Sequence, residues 1–353
     1  MDFDAALAAL QQRGPGRMVP DLDRITRLAE MLGDPQLAYP SVHVTGTNGK
    51  TSATRMIATL LSAAGVSAGT YTSPHLQSVR ERLTVAGRAI GEQAFAEVVE
   101  QVNPIAGLVD HETVVDGGDA ELDRVTYFEL LTACAYWWFA DKPVDVGVFE
   151  VGMGGTWDAT NLVRGEVAVL TTIDVDHSEL GDTPAQVAGE KSGIIKEGAR
   201  VVLGPQTDEV MKVVTDRAEA VGAELRVFGV DHEVVARRVA LGGQYLTLRV
   251  GERTIDEVML PVFGAHQADN AAVALAATAA FLGESFDNLS DDIVRQGFLA
   301  VTSPGRLEIV HRDPTVLLDG AHNPHGARTA VEALGDSFDF RSLVLVIGCL
   351  EDK

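Results

Sequence analysis

Short apolar segments alternate with longer amphipathic segments between residues 41 and 228. Ser41–Thr45 is short and rich in β-branched residues, whereas Met56, Ile57, Leu60 and Leu61 recur at helical spacing within residues 51–64. Further strands are predicted at residues 66–70, 144–149, 167–172, 201–203 and 225–228, and helices at 126–140, 184–196 and 208–220. Such alternation predicts a mainly parallel sheet covered by helices on both faces.

The pattern changes after residue 230. Alternating polar and apolar residues up to residue 260, interrupted by glycines, predict antiparallel strands, and helices are predicted at 266–281 and 291–299. Pro and Gly within Val301–Arg306 mark a boundary between domains. Beyond it, a strand at 315–318, a helix at 327–334 and a strand at 343–347 predict a second unit.

We therefore expect an α/β protein with a P-loop-type, mainly parallel sheet flanked by helices, plus a second, smaller α/β domain. Residues 1–300 are assigned to the first domain and residues 301–353 to the start of the second. Two or so parallel strands are too few to bury both faces of a sheet. The second domain is accordingly expected to be incomplete.

Composition and charge restrict the class of protein. With 46% hydrophobic and 22% charged residues, and no apolar run of about 18 residues, the chain resembles a globular protein without a membrane span. Its N-terminus, MDFDAALAAL, lacks the basic residues of a secretion signal, so we expect a cytoplasmic protein. A net charge of −23 argues against partners such as nucleic acid or an acidic membrane. A monomer is expected, although the sequence contains no feature that determines the oligomeric state.

The strongest chemical signal is VHVTGTNGKTS at residues 42–52. Gly46 and Gly49 allow a tight turn between a strand and a helix, where backbone N–H groups bind phosphate. Lys50 is expected to neutralise phosphate charge and the Thr51 hydroxyl to bind Mg²⁺. Val44 stands where the longer Walker pattern has glycine, so this is the shorter GTxGK[ST] form; the alternative is a glycine turn without nucleotide. The predicted nucleotide-binding residues here are Gly46, Thr47, Asn48, Gly49, Lys50, Thr51 and Ser52.

This loop resembles the ATP loop of the Mur ligase superfamily, and further motifs resemble its folylpolyglutamate synthase and dihydrofolate synthase branch. These motifs are TYTSPHL (70–76), FEVGMGGTWDATN (149–161), TTIDVDHSELG (171–181), EKSGIIKEG (190–198), FGAHQADN (263–270), PGRLE (304–308) and DGAHNPHG (319–326). The resemblance implies an enzyme that activates a carboxylate as an acyl phosphate with ATP and couples it to an amine.

Candidate metal ligands follow the ends of predicted strands, where α/β proteins bind ligands. Glu150, Ser73 and Thr51 offer the oxygen atoms that Mg²⁺ prefers, whereas His177 is a less typical ligand. The resemblance implies a second Mg²⁺ bound by His177, Glu150 and a carbamylated Lys191. The alternatives are a solvated helix lysine for Lys191, which the residue pattern alone favours, and a structural histidine for His177.

The SPHL segment resembles the family's substrate loop, which assigns Ser73, Pro74 and His75 to the acceptor. Arg80 and Arg82 lie close behind this loop and are candidates for bidentate contacts with acceptor carboxylates, or for a surface face. Phe128 is a candidate for stacking on a pterin ring, although an aromatic residue at helical spacing is usually core.

Several residues near and beyond the boundary are assigned by resemblance alone. Asn270 matches the residue at the adenine, and Arg306 matches an arginine that reaches the ATP phosphates. Asp319 and His322 match residues that face the nucleotide and the incoming amino acid, whereas Asn323 and His325 are expected to shape the turn. Residues from a second domain imply that domain closure completes the site and protects an acyl phosphate from water.

The expected reaction is ATP-dependent ligation of L-glutamate to a folate or dihydropteroate acceptor. Lys50, Lys191, His177, Arg306 and His322 are the expected catalytic residues. Whether one or both folate activities are present stays open. The alternatives are a Mur-type cell-wall peptide ligase and a non-enzymatic nucleotide-binding module.

Overall fold

An eight-stranded sheet lies at the centre of the fold. The computed structural model describes residues 1–14, 19–175 and 178–348. The strands of this sheet are β1 Ser41–Thr45, β2 Ala68–Tyr71, β3 Leu83–Val85, β4 Arg88–Ala89, β5 Val146–Glu150, β6 Val167–Leu170, β7 Arg200–Leu203 and β8 Glu224–Val227. Their order is β4-β3-β2-β5-β1-β6-β7-β8; β2, β5, β1, β6, β7 and β8 run parallel, and β3 and β4 form an antiparallel edge. The predicted mainly parallel sheet is confirmed.

Helices cover both faces of this sheet. The helices of the described ranges are α1 Phe3–Gln12, α2 Asp23–Met31, α3 Lys50–Ala63, α4 Glu92–Val115, α5 Tyr127–Asp141, α6 Pro184–Lys191, α7 Asp208–Ala220, α8 Ala265–Leu282, α9 Glu284–Asp287, α10 Asp291–Leu299 and α11 Pro324–Ser337. Successive strand residues point to opposite faces, so Val42 and Val44 pack with α3 and α8, whereas Phe149 packs with α5. Within the described ranges, no helix has the length and apolar character required to cross a bilayer.

The sequence pattern does not predict α1, α2 or α4. These helices pack with α5 in one apolar cluster, which includes Leu10, Ile25, Leu28 and Phe95. A half-buried ion pair, with Arg13 Nη1 2.8 Å from Asp110, connects the end of α1 to α4. The result is a helical layer that covers the sheet beside the carboxyl ends of β2 and β5.

A second sheet packs against α8. Its strands, β9 His232–Ala240, β10 Gly243–Val250 and β11 Arg253–Leu260, are antiparallel in the order β11-β10-β9. Leu246, Leu248, Ile255 and Val258 are buried in the cluster that contains α3 and α8. The antiparallel strands predicted between residues 230 and 260 are confirmed.

The segment after residue 301 differs from the prediction. The predicted strand at 315–318 is present as β13 Thr315–Leu318, but it pairs as an antiparallel hairpin with β12 Glu308–Arg312, a strand that the sequence pattern does not predict. The predicted strand at 343–347 is wrong, because residues 342–348 form no strand; Val344 and Val346 are 87% and 91% exposed. A hairpin needs only a short turn, whereas a parallel pair needs a long crossover, so the local partner pairs with β13. The division near residue 300 stays a prediction.

Candidate active site

The turn between β1 and α3 has the conformation expected of a phosphate loop. Gly49 has φ +87° at the N-cap of α3, and Gly46 has φ +144°. A Cβ on Gly46 would lie 1.9 Å from the Thr171 hydroxyl, which donates a 2.7 Å hydrogen bond to the Asn48 carbonyl. The loop is therefore held against the end of β6, and glycine is required where it touches this hydroxyl.

Two lysine side chains converge on this loop. Lys50 Nζ donates to the carbonyls of Gly46 and Thr47, at 2.8 Å and 3.2 Å. Lys191 Nζ, from the end of α6, also donates to the Gly46 carbonyl, at 2.9 Å. Lys191 is only 3% exposed, so the reading of a solvated helix lysine is wrong. A turn that exposes helix N–H groups beside the Lys50 ammonium favours an anionic ligand.

Glu150 connects the phosphate loop to the SPHL loop. It is 1% exposed at the end of β5; its Oε1 accepts a 2.7 Å hydrogen bond from the Thr51 hydroxyl, and its Oε2 accepts a 3.0 Å bond from the Ser73 amide. Burial raises the pKa of Glu150, against the lowering effect of the Lys50 ammonium and these hydrogen bonds. The structure thus brings together three of the predicted metal ligands.

The two remaining predicted metal ligands are His177 and Lys191. His177 lies outside the described residues. Lys191 contacts the phosphate loop, as described above. Within the described ranges, no group of three or more His, Cys, Asp or Glu side chains is arranged to hold a metal ion. The donors that fit Mg²⁺ here are the Glu150 carboxylate and the hydroxyls of Thr51 and Ser73, because they are hard oxygen atoms.

A cavity of about 330 Å³ opens next to Ser73. Ser73, Pro74, Arg82, Phe128, Trp157 and Asp158 are among its lining residues. Phe128 presents its aromatic ring to the cavity, and the centre of this ring lies 6.1 Å from the centre of the Tyr71 ring. Phe128 is therefore both a wall of the cavity and part of the core. The cavity combines aromatic surface with two arginines, Arg24 and Arg82, and three carboxylates, Asp21, Glu129 and Asp158, at the end of the sheet where Glu150 lies.

Arg80 and Arg82 point in different directions. Arg82 lines the cavity and donates a 2.9 Å hydrogen bond from Nε to His75 Nδ1. Arg80 instead pairs with Glu92 at 3.3 Å, and its guanidinium lies 5.7 Å from the centre of the Phe3 ring. Because the two residues occupy a single short 3₁₀ turn, only one of them faces the cavity.

The segment after residue 301 reaches the phosphate loop through its amide and imidazole groups. Asn323 Nδ2 donates to Asn48 Oδ1 at 3.1 Å, and Asn48 Nδ2 lies 2.9 Å from His325 Nδ1. Asn323 also caps α11, since its Oδ1 accepts from the Gly326 amide at 2.7 Å. The expected turn-shaping role of Asn323 is therefore confirmed, but this residue and His325 also contact the loop directly.

The residues assigned by resemblance lie around the same loop in different ways. The Asn270 side chain is buried beside Gly49. The Asp319 carboxylate accepts from the Leu307 and Ala321 amides, at 2.9 Å and 2.8 Å, and so fixes the turn that carries Arg306. His322 is exposed, with Nδ1 2.9 Å from the Gly320 carbonyl.

Sequence reasoning missed Arg55 and Asp158. Arg55 lies one turn after Thr51 on α3, where its charge interacts with Glu150 and Arg306. Its i+4 spacing from Thr51 is the signal that would have indicated it. Asp158 is buried and lines the cavity. Its position within GMGGTWDATN carried no separate signal, because Asp before a short turn is usually a cap.

Comparisons with known proteins agree with this geometry. Residues 123–278 match the Mur ligase middle domain, and residues 305–353 match the Mur ligase glutamate ligase domain. The dihydrofolate synthase/folylpolyglutamate synthase of Mycobacterium tuberculosis is 44% identical, over 98% of this chain and 72% of its own length.

Solved structures are similar over the same extent. A Mycobacterium tuberculosis folylpolyglutamate synthase complexed with ADP and AMPPCP has a TM-score of 0.88 and 42% identity, over 96% of this chain and 76% of its own. A folylpolyglutamate synthase (FPGS) solved as an FPGS-AMPPCP-folate complex has a TM-score of 0.89 and 34% identity, over 95% of this chain and 80% of its own. The chain belongs to the dihydrofolate synthase/folylpolyglutamate synthase family of Mur ligases, which are ATP-dependent amide ligases.

Proposed function

We propose that this chain ligates L-glutamate to a folate or dihydropteroate acceptor, through an acyl phosphate formed with ATP. One observation carries the proposal. Ser73 lines the acceptor cavity, and its amide lies 3.0 Å from Glu150, whose other oxygen binds Thr51 of the phosphate loop. The buried Glu150 carboxylate would thus lie between the nucleotide and the acceptor, where a phosphoryl group would be transferred.

The nucleotide would bind with its phosphates on the turn at residues 46–51. Backbone N–H groups at the start of α3 and the Lys50 ammonium would neutralise phosphate charge. Lys50 would exchange its hydrogen bonds with the loop carbonyls for phosphate oxygens. Asn270 would contact the adenine, and Arg306 would reach the phosphates from beyond the boundary. Transfer of a phosphoryl group depends mostly on such positioning and electrostatic stabilisation.

Glu150, Thr51 and Ser73 would hold a first Mg²⁺. Glu150, His177 and a carbamylated Lys191 would hold a second. When bound, Mg²⁺ would neutralise charge on the phosphate oxygens. The burial of Lys191 supports the assignment, because its Nζ lies at the phosphate loop, 2.9 Å from the Gly46 carbonyl, where a carbamate oxygen could meet a bound Mg²⁺. Mass spectrometry under gentle conditions would test it: an increase by one carbon dioxide is expected on the peptide that contains Lys191, and an unmodified lysine in a metal-saturated, active enzyme would refute it.

The acceptor ring would occupy the 330 Å³ cavity. Phe128 and Trp157 offer flat apolar surface, and a pterin presents two adjacent N–H donors that match the Asp158 carboxylate. Arg82 would bind the carboxylate end of the acceptor or its benzoyl carbonyl, close to the SPHL loop. The cavity's aromatic walls and the buried Asp158 carboxylate support a pteridine ring better than they support a UDP-linked peptide.

The reaction proceeds in two transfers. An acceptor carboxylate oxygen attacks the γ-phosphorus, the bond to the β–γ bridging oxygen breaks, and ADP leaves. The amine of L-glutamate then attacks the acyl carbonyl, the amine loses its proton and phosphate leaves. Asp319 and His322 would face the nucleotide and the amino acid. Closure of the segment after residue 301 over the loop would keep water from the acyl phosphate.

Phosphate release by the purified protein tests this function. The assay would contain ATP, Mg²⁺ and L-glutamate, with dihydropteroate, tetrahydrofolate or a UDP-linked peptide as the acceptor. Release that depends on both glutamate and a pteridine acceptor is expected, and the two pteridine arms tell whether one or both activities are present. Release with the UDP-linked peptide alone would indicate a cell-wall ligase, whereas ATP binding without turnover in any arm would indicate a nucleotide-binding module. The expectation of a cytoplasmic monomer without nucleic-acid or membrane partners belongs to the same proposal.

A further inference from the structure

A buried chain of side chains runs from the strand of the phosphate loop to the acceptor cavity. His43, in β1, is fully buried, and its Nε2 lies 2.8 Å from the Thr160 hydroxyl oxygen. The Thr160 hydroxyl lies 2.5 Å from Asp158 Oδ1, and Asp158 lines the cavity. His43 therefore touches neither substrate site, but it is two hydrogen bonds from the carboxylate in the cavity wall.

The direction of each hydrogen bond in this chain follows from the ionised form of Asp158, which has no proton to donate. The Met153 amide donates to Asp158 Oδ2 at 2.9 Å, and the Thr160 amide donates to Oδ1 at 3.0 Å. When Asp158 is ionised it can only accept, so both amides and the single Thr160 hydroxyl proton are directed to its oxygens. That hydroxyl must then accept from His43, which fixes the proton of the imidazole on Nε2.

The environment of His43 agrees with a neutral ring. Burial, with a smaller contribution from Lys196, lowers the pKa of His43 to about 3. With the proton on Nε2, Nδ1 is a bare lone pair, and it has no hydrogen-bond partner among the described residues. Of the two neutral tautomers, only the Nε2–H ring retains all of these hydrogen bonds to Asp158.

We infer that His43 is a positioning residue for the acceptor ring: its Nε2–H orients the Thr160 hydroxyl onto Asp158 and so fixes the position of that carboxylate in the cavity wall. The inference rests on the proposed function, because it assumes that the acceptor ring occupies this cavity. Burial raises the pKa of Asp158, and the hydrogen bonds from Thr160 and Met153 oppose that rise. Removing the Thr160 bond would therefore weaken the carboxylate as a partner for ring N–H groups.

A second buried histidine, His232, makes no hydrogen bond like that of His43 to any described residue. His232, in β9, is also fully buried, and both of its ring nitrogens lack a hydrogen-bond partner within the described ranges. Its ring instead packs edge-on against Phe228, at 5.6 Å between centroids. The contrast makes His232 a matched control for loss of a buried imidazole.

The test compares four single variants in the phosphate-release assay. His43→Leu removes the donor, His43→Gln keeps an N–H near the Nε2 position, Thr160→Val removes the hydroxyl at nearly equal shape, and His232→Leu is the control. For His43→Leu and Thr160→Val we expect the KM for the pteridine acceptor to rise roughly tenfold, as for loss of one hydrogen bond to a charged group. KM for ATP should stay within about twofold, and His43→Gln should recover most of the acceptor KM.

The double variant His43→Leu/Thr160→Val separates positioning from general loss of packing. Residues that act through one hydrogen-bond chain are non-additive, so its acceptor KM should match that of Thr160→Val alone. The inference would be overturned if the increases in acceptor KM of the two single variants multiplied in the double variant, or if His232→Leu raised the acceptor KM equally. A His43→Leu enzyme with an unchanged acceptor KM and only a lower Tm would also overturn it. These outcomes require an active wild type. A wild type without pteridine-dependent release would instead overturn the proposed function.

Discussion

The glycines at the two ends of α3 allow the phosphate loop to be tested with an internal control. Gly49 has φ +87° and Gly65 has φ +84°, so an alanine at either position adopts the same unfavourable left-handed conformation. The strain costs about 1–2 kcal/mol in both cases. The surroundings differ, because a Cβ at Gly49 would lie 2.5 Å from Asn270 Oδ1, whereas a Cβ at Gly65 meets nothing within 4 Å.

We expect Gly49→Ala and Gly65→Ala to differ mainly in ATP binding. A contact of 2.5 Å falls well short of the 3.4 Å at which ordinary van der Waals contact begins, so either the loop or the Asn270 amide must move. Losing one hydrogen bond to a charged phosphate costs about 1.5–3 kcal/mol, or roughly a 10- to 150-fold weaker Kd. Gly65→Ala should bind ATP as the wild type does.

Two measurements on each variant check this reasoning. Urea unfolding gives the free energy of unfolding, and calorimetric titration with a non-hydrolysable ATP analogue and Mg²⁺ gives Kd. The double variant Gly49→Ala/Asn270→Ala lacks the obstructing amide. Its free energy of unfolding should therefore fall below that of the wild type by about as much as that of Gly65→Ala does. If Gly49→Ala binds the analogue as tightly as Gly65→Ala does, the close contact does not constrain the loop and the argument fails.

Three further predictions concern charged residues of the site. Burial raises the pKa of Glu150 above its unfolded value, so ionised Glu150 costs stability at neutral pH and costs none below the unfolded pKa of about 4.3. Glu150→Gln should therefore raise the free energy of unfolding at pH 7, with a gain that vanishes near pH 4, and should abolish phosphate release; a gain independent of pH would contradict this cause. Lys191→Met should bind the ATP analogue with a Kd within about tenfold of the wild type, but its kcat should fall at least about a hundredfold, as it does when an electrostatic catalytic group is lost. An unchanged kcat would exclude Lys191 from the site. Arg82→Gln should raise the acceptor KM roughly tenfold, whereas Arg80→Gln should only lower stability by about 0–1 kcal/mol, as for a partly exposed ion pair; equal KM values would remove Arg82 from the cavity's function.

The sequence was most informative where a local pattern coincides with a local structural requirement. The strand at residues 41–45, the glycine turn and the helix after it were all predicted, because period-2 and period-3.6 spacing and the need for positive φ are properties of adjacent residues. The helices α1, α2 and α4 were not predicted. Their burial comes from packing on one another and on α5, and Pro104 interrupts the helical pattern of α4.

Tertiary structure decided which candidates face the site. Nothing near Lys191 in the sequence distinguishes a solvated helix lysine from one that is 3% exposed and bonded to Gly46, because its partner lies 145 residues away. Arg80 and Arg82 are equivalent as sequence signals, but the short turn that contains them directs only Arg82 to the cavity. The strand predicted at 343–347 has the right composition but no neighbour to pair with among the described residues, and a strand depends on hydrogen bonds to another strand. Residue type and spacing thus determined the chemistry available to this protein, whereas long-range packing determined which groups meet.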